Sequence, residues 1–264
     1  MLDSTFFNST TTYLYLTALQ KKIAKKKSKN TLFSKRFNEI STDTLYTKQQ
    51  QNAYRQTDCF LVDSNKLLSQ TENYFFKKGK IFYDTFDEAY LKIQKDFVGY
   101  KQYQSKYLIF CTGSDILNIS LFKSLSFKSV KGEVLVLNKP NHNINYVVQN
   151  EKWCAPVSNN EFKFGSTYVY DNLISPTKSS WKSLVKSINT FGFNEDNITS
   201  MQSGIRVFTE DYLPKIGVLK THPRLGLFSG FSSKGFSYAP IMAQLWAPHF
   251  PNIPEDLLNY NINN

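Results

Sequence analysis

The 264 residues hold 32 Lys and Arg against 21 Asp and Glu, a formal net charge of +11, with 16 % aromatic residues. That aromatic content excludes a disordered chain, and the length allows a sizeable core in one large domain or two small ones. The basic residues are mostly lysines scattered along the whole chain, not a clustered arm, which argues against nucleic acid as a partner.

No apolar run comes near the ~18 residues a membrane-spanning helix needs, so none is predicted. The N-terminus has no basic-then-apolar signal layout. Cys59, Cys111 and Cys154 are far apart and odd in number. They form no CxxC pair and no metal spacing, and predict reduced, buried thiols in a cytoplasmic protein. His142, His222 and His249 stand in turn-like or Pro-flanked surroundings and carry no motif.

In chain order, residues 1–12 show no structural period. Leu16, Leu19 and Ile23 predict a helix over Tyr13–Lys27, with a lysine run at its end that suits the helix dipole. Residues 28–57 are polar and give no pattern. Phe60–Val62 is a short strand, and Asp63 or Ser64 caps a helix from Asn65 to Lys78 that Gly79 ends. Strand-like runs follow at Lys80–Tyr83, Tyr90–Gln94 and Phe97–Tyr100. Lys106–Cys111 is a continuous apolar run of the kind buried on both faces of a parallel sheet, and Thr112-Gly113 follows it.

From Gly132 the texture becomes antiparallel β, with strands in GEVLVL, NYVVQ, KWCAPV and EFKFGSTYVY. Thr177 or Ser175 caps a helix carrying Trp181, Leu184, Val185 and Ile188, whose spacing sets one face against that sheet. The tail from His249 to Asn264 is expected to be loosely held.

Five of the eleven glycines, Gly204, Gly217, Gly226, Gly230 and Gly235, fall between Ser203 and Ala247. There a short apolar strand enters a glycine-rich turn and then a helix, an arrangement that presents backbone N–H groups to an anionic or polar ligand edge.

Six ordered motifs carry a family resemblance. They are Thr112-Gly113 after a buried strand, Lys131-Gly132-Glu133, Gly165-Ser166-Thr167, Gly204-Ile205-Arg206, Asp211 through Gly217, and Gly230 through Gly235 with Ala239-Pro240. Over residues 58–248 the chain resembles the FAD-dependent oxidoreductases of the D-amino-acid oxidase and glycine oxidase type. The resemblance implies an α/β fold: an incomplete Rossmann-like FAD-binding domain over 1–115 and 200–264, with an inserted antiparallel-sheet α+β substrate domain over 116–199. It implies FAD as cofactor and a small carboxylate- or amine-bearing substrate whose hydride passes to the flavin. Arg206 becomes the carboxylate clamp, since a guanidinium can grip a carboxylate through two parallel hydrogen bonds; the competing reading pairs it with Glu210 or Asp211. Gly230, Phe231, Ser232, Ser233, Lys234, Gly235 and Phe236 would run along the flavin edge. Thr112 and Gly113 would border the adenosine side, while Gly204 and Gly217 would let the backbone pass the cofactor. Trp153, Tyr168 and Tyr170 are candidates for the side-chain pocket, with core packing the alternative.

The chain departs from the family at one point. The first glycine is Gly79, so no Gly-x-Gly-x-x-Gly turn precedes it. FAD binding is therefore conditional. The expectation is a chain truncated at its N-terminus, the alternatives being an element supplied by a partner chain or a degenerate relative. A non-catalytic remnant and a basic RNA-associated module are the competing functions.

Overall fold

The computed structural model describes residues 7–14, 18–31, 34–40, 53–138, 145–158, 160–171 and 173–263. The elements begin with β1 (Phe7–Leu14), α1 (Ala18–Ser28), β2 (Phe37–Ile40), β3 (Ala53–Val62) and α2 (Ser64–Lys77). Four short strands follow: β4 (Leu91–Ile93), β5 (Val98–Tyr100), β6 (Tyr103–Ser105) and β7 (Leu108–Phe110). Then come β8 (Lys128–Asn138), β9 (Val147–Gln149), β10 (Trp153–Pro156), β11 (Glu161–Gly165) and α3 (Lys178–Ile188). The last elements are β12 (Ile198–Phe208), β13 (Lys215–Val218), β14 (Leu225–Ser229) and α4 (Gly235–Trp246). Among the described residues no helix is long and apolar enough to cross a membrane.

The chain forms two compact units. One comprises Met1–Tyr83, Glu133–Thr167 and Ser175–Ser203; the other comprises Asp84–Gly132, Tyr168–Ile174 and Gly204–Asn264. The boundaries differ from the expected division into 1–115 with 200–264 and 116–199. The reason is hydrogen bonding: β1 pairs with β9 in parallel and with β3 antiparallel, so the N-terminal strands extend the sheet that was read as an insertion.

The first unit is built on a sheet ordered β12-β8-β11-β10-β9-β1-β3-β2. Alternation along β8 and β11 sends Leu135, Leu137, Phe162 and Phe164 into one core. α3 covers that core with Leu184 and Ile188, both fully buried and one turn apart, while Trp181 stays 37 % exposed. Thr177 caps α3, as expected, by accepting from Ser180 N. α2 follows its prediction closely: Asp63 is the N-cap, and Gly79 takes the left-handed φ of +61° just beyond the end. Three readings change. β1 lies mostly in the stretch read as patternless: five consecutive polar residues, Asn8 to Thr12, give no alternation, and pairing with β3 and β9 makes it a strand. The predicted helix begins later, at Ala18, and Ile23 is 51 % exposed; Leu16 lies outside the described residues. The predicted strand at Lys80–Tyr83 is absent. Tyr83 instead donates its hydroxyl to Glu72 of α2 (2.6 Å).

Glu133 organises the α3 end of this unit. It is fully buried, and its carboxylate accepts from Thr167 Oγ1 (3.0 Å), Thr177 N (2.7 Å) and Thr177 Oγ1 (3.2 Å), and from Ser180 Oγ. An anion at a helix N-terminus is favoured by the unpaired N–H groups and the dipole there.

In the second unit β13, β14 and β7 form a three-stranded sheet, and β4, β5 and β6 a small antiparallel meander. One core gathers Val98, Phe110, Ile116, Phe122, Leu225 and Leu227, and a second sets Ile216 against Met242, Trp246 and Leu257. β7 is not buried on both faces: it lies at a sheet edge, and Ile109 is 40 % exposed. The C-terminal tail is held rather than loose. Leu257 and Ile262 are buried, Ile262 N donates to Ile216 O (2.8 Å), and Asn263 Nδ2 donates to Val218 O (2.8 Å). Lys131, fully buried, is paired with Asp171 at 2.8 Å.

The cysteines divide by environment. Cys154 is buried, and desolvation pushes its thiol up to about 12. Cys59 is half-buried and Cys111 exposed, against the expectation of buried thiols.

Glu133→Ala leaves several buried donors without an acceptor and should cost about 2–4 kcal/mol. Urea unfolding checks this, with Glu133→Gln expected to lose less because it keeps an acceptor.

Candidate functional site

β7 and β14 run parallel, with Leu108 opposite Leu225 and Phe110 opposite Leu227, so both release the chain at the same end of the sheet. The carboxyl ends of parallel strands are where such sheets take ligands, because the following loops leave backbone N–H groups unpaired. A pocket of about 350 Å³ opens there, walled by Cys111, Gly113 and Ser114 after β7, by Ile205 to Val207 of β12, and by Phe228 to Ser232 after β14. Ala239, in the first turns of α4, completes it.

The turn from β14 to α4 has a forced geometry. Gly230 adopts φ +79°, and a Cβ there would stand 3.1 Å from Thr209 Cγ2 and 3.3 Å from Phe127 Cε1. Both the backbone angle and the crowding require glycine. Ser232 is also left-handed, at φ +49°, and its N–H donates to Val207 O (3.1 Å), which ties the turn to β12. Lys234 then starts α4, its carbonyl accepting from Ser237 N and Tyr238 N.

A brace lies behind Gly230. Thr209 Oγ1 donates to Leu213 O (2.6 Å), Leu213 N to Asp211 Oδ1 (3.0 Å), and Lys215 Nζ to Asp211 Oδ2 (2.9 Å). Burial alone would raise the Asp211 carboxyl. The hydrogen bonds from Lys215 and Leu213 outweigh it and hold the group below its ordinary value. The Asp211–Gly217 motif is thus a support for the turn. Gly217, at φ +121°, faces Ile253 and Ile262 and lies away from the pocket.

Arg206 crosses Gly132 so closely that a Cβ at that position would fall on the guanidinium. Partial burial lowers its pKa from the ordinary value, and the nearby Tyr168 acts in the opposite sense. The two acids considered as its partners each pair with a lysine: Glu210 with Lys128 (3.5 Å) and Asp211 with Lys215 (2.9 Å). Tyr168, Phe208 and Tyr212 form an edge-to-face chain beside it, and Tyr168 also meets Tyr170. Desolvation and the hydrogen bond with Tyr170 raise the Tyr168 phenol.

Of the predicted site residues, Gly113, Arg206, Gly230, Phe231 and Ser232 meet at one pocket. Thr112 adjoins it, and its buried Oγ1 has no hydrogen-bond partner among the described residues. Ser233, Lys234, Gly235 and Phe236 belong to the start of α4, with Phe236 52 % exposed. Gly204 lies on β12 with nothing within 4 Å of where its Cβ would stand. Trp153 belongs to the first unit and is not among the pocket residues. Sequence reasoning passed over Cys111 and Ser114, and took Gly132 only as part of a motif. The close approach of Arg206 is what makes that glycine necessary.

Gly230→Ala meets both a left-handed φ and crowding and should lose about 1–3 kcal/mol, while Gly113→Ala, also left-handed at φ +57° but with open space at its Cβ, should lose less; thermal unfolding of both variants checks this. Asp211 has a folded-state pKa below its unfolded one, so its stabilisation is present above the unfolded pKa and lost as pH falls through the folded value. The stability gap between wild type and Asp211→Asn should therefore shrink below roughly pH 4.

The FAD dependent oxidoreductase (DAO) family profile matches residues 6–248. Among solved structures, glycine oxidase from Geobacillus kaustophilus superposes with TM-score 0.79 at 15 % identity, over 97 % of this chain and 75 % of that one. Iminodiacetate oxidase from Chelativorans sp. BNC1 gives TM-score 0.79 at 13 % identity, over 97 % and 76 % of the two chains. L-alpha-glycerophosphate oxidase from Mycoplasma pneumoniae, with FAD bound, gives TM-score 0.73 at 14 % identity, over 94 % and 74 %. A profile match over nearly the whole chain, on a fold shared with these enzymes, makes this chain a member of the FAD dependent oxidoreductase family.

Proposed function

We propose that the chain serves an FAD-dependent oxidation of a small amino acid or related amine-bearing carboxylate, with the pocket of the second unit as its flavin and substrate site. The observation that carries this reading is the position of Arg206, a partly buried guanidinium that lines one pocket with Gly113 and the Gly230–Ser232 turn. Two of the similar structures are named for glycine and iminodiacetate, both amine-bearing carboxylates.

The residues present fit part of an FAD site. Thr112 Oγ1 is a buried polar atom without a partner among the described residues, and Gly113, at φ +57°, leaves open space where a side chain would intrude. The turn from Gly230 to Ser232 and the N-terminus of α4 give the pocket N–H groups and a positive dipole end, which suit negative charge on a bound ring carbonyl. Bound FAD supplies the acceptor for hydride from the substrate carbon. Arg206 holds the substrate carboxylate through parallel hydrogen bonds and so fixes that carbon's position in the pocket. Tyr168 and Tyr212, both exposed, offer aromatic surface beside it. His222 and His249 are not among the pocket residues, and no proton-transfer role is assigned to them.

A second reading, a family member that holds no FAD, is favoured by one observation: no Gly-x-Gly-x-x-Gly turn occurs anywhere in the 264 residues. Absorbance after incubation with excess FAD and gel filtration separates the two. Retained flavin supports the first reading, and a colourless protein the second. In flavin-loaded protein, glycine or iminodiacetate should perturb the flavin spectrum. Arg206→Ala should weaken that titration by about 10- to 100-fold, as loss of a charged hydrogen-bond pair implies, with flavin content unchanged. Arg206→Lys should restore it only in part.

A further inference from the structure

We propose that the C-terminal end of α2 and the turn after it dock the chain on an anionic phospholipid bilayer, at the interface and without spanning it. The docking needs no bound flavin. The surface lies within the first unit, which includes Met1–Tyr83. A helix of a folded unit ordinarily buries one apolar stripe, but α2 has no buried residue at all. Leu68, Tyr74, Phe75, Phe76, Phe82 and Tyr83 are each between 44 and 69 % exposed. A contiguous group of exposed large apolar side chains, unlike a single one, marks an interaction surface.

The backbone holds this group in place. Lys78 N and Lys80 N donate to Phe75 O (3.1 and 3.0 Å), and Gly79 N donates to Phe76 O (2.9 Å). Gly79, at φ +61°, reverses the chain there. The reversal returns Tyr83 to α2, where its hydroxyl donates to Glu72 (2.6 Å) and its ring lies 6.1 Å from that of Phe76. Tyr74 meets Phe75 edge-on at 5.1 Å. The hydrogen bonds also satisfy carbonyls that a helix end otherwise leaves open, which lowers the cost of taking this end out of bulk water.

Charge selects the occupant. Between Ser64 and Tyr83 the only acid is Glu72, against Lys66, Lys77, Lys78 and Lys80. Lys77, Lys78 and Lys80 flank the aromatic group, and Glu72 is engaged by Tyr83. Aromatic rings settle at headgroup depth in a bilayer, and lysines beside them reach anionic headgroups. A second copy related by a two-fold axis would bring these lysines against their own counterparts. A single-stranded nucleic acid stacks its bases on open ring faces. Here Phe76 and Tyr83 tilt against each other at 38°, and Lys78 Nζ lies over the Tyr74 ring, 4.7 Å from its centroid.

The test floats the full chain with vesicles of phosphatidylcholine alone, or of equal parts phosphatidylcholine and phosphatidylglycerol. The chain is expected to float with the anionic vesicles and to bind the neutral ones roughly tenfold more weakly or worse. Phe75→Ser with Phe76→Ser should weaken binding to the anionic vesicles by roughly tenfold or more, because apolar area inserted sets the affinity. Lys77→Gln with Lys80→Gln should weaken it by about 10- to 30-fold. Both double variants should keep Tm within about 2 °C of wild type, since α2 contributes no buried side chain. Lys25→Gln with Lys26→Gln on α1 removes the same charge elsewhere and should change binding by less than about threefold. Four results overturn the inference: no binding to anionic vesicles, binding indifferent to Phe75 and Phe76, an equal loss in the α1 variant, or a dimer on gel filtration that the Phe75 and Phe76 substitutions dissolve. Tighter binding of a single-stranded oligonucleotide through the same residues overturns it as well.

Discussion

The site depends on the parallel pairing of β7 with β14. Parallel strands leave their chains at one end, so the Cys111–Ser114 segment and the Gly230–Ser232 turn face the same pocket. An antiparallel pair would have sent one of them to the far side of the sheet. The pairing is short, three residues on β7, and its stability comes from the apolar contacts beneath it, where Phe110, Leu225 and Leu227 are buried together. At roughly 1.5–3 kcal/mol for each fully buried large apolar side chain, that core outweighs the few ladder hydrogen bonds.

The same site shows which glycines matter and why. Gly230 is fixed by its left-handed backbone and by the Thr209–Pro214 brace packed against it. Gly132 is fixed by a guanidinium lying over it. Gly217 serves the contact with the C-terminal tail and does not reach the pocket. A glycine in a motif can thus be demanded by the ligand, by a neighbouring side chain or by the packing behind it, and only the three-dimensional contacts tell these apart.

Much of this was legible in the sequence where local chemistry decides structure. Asp63 and Thr177 as caps, Gly79 as the helix stop, and the spacing of Leu184 and Ile188 follow from short-range rules that tertiary contacts did not override. Gly113, Arg206 and Gly230, singled out through the family resemblance for separate parts of the site, line one pocket. What stayed hidden depends on long-range pairing. β1 has no apolar alternation, and its place in the sheet is set by β3 and β9. Apolar composition suggested that β7 was covered on both faces, yet its position at an edge leaves Ile109 exposed. The unit boundaries moved for the same reason, because hydrogen bonds join the N-terminal strands to the later sheet.

On the proposed function, Arg206 and the Gly230–Ser232 turn would hold a flavin edge with a carboxylate beside it. The most direct measurement is a crystal structure of the chain purified with FAD and iminodiacetate. The account predicts flavin density against the Ser229–Ser232 backbone and a carboxylate paired with Arg206. Flavin bound elsewhere, or a carboxylate held away from Arg206, would contradict it.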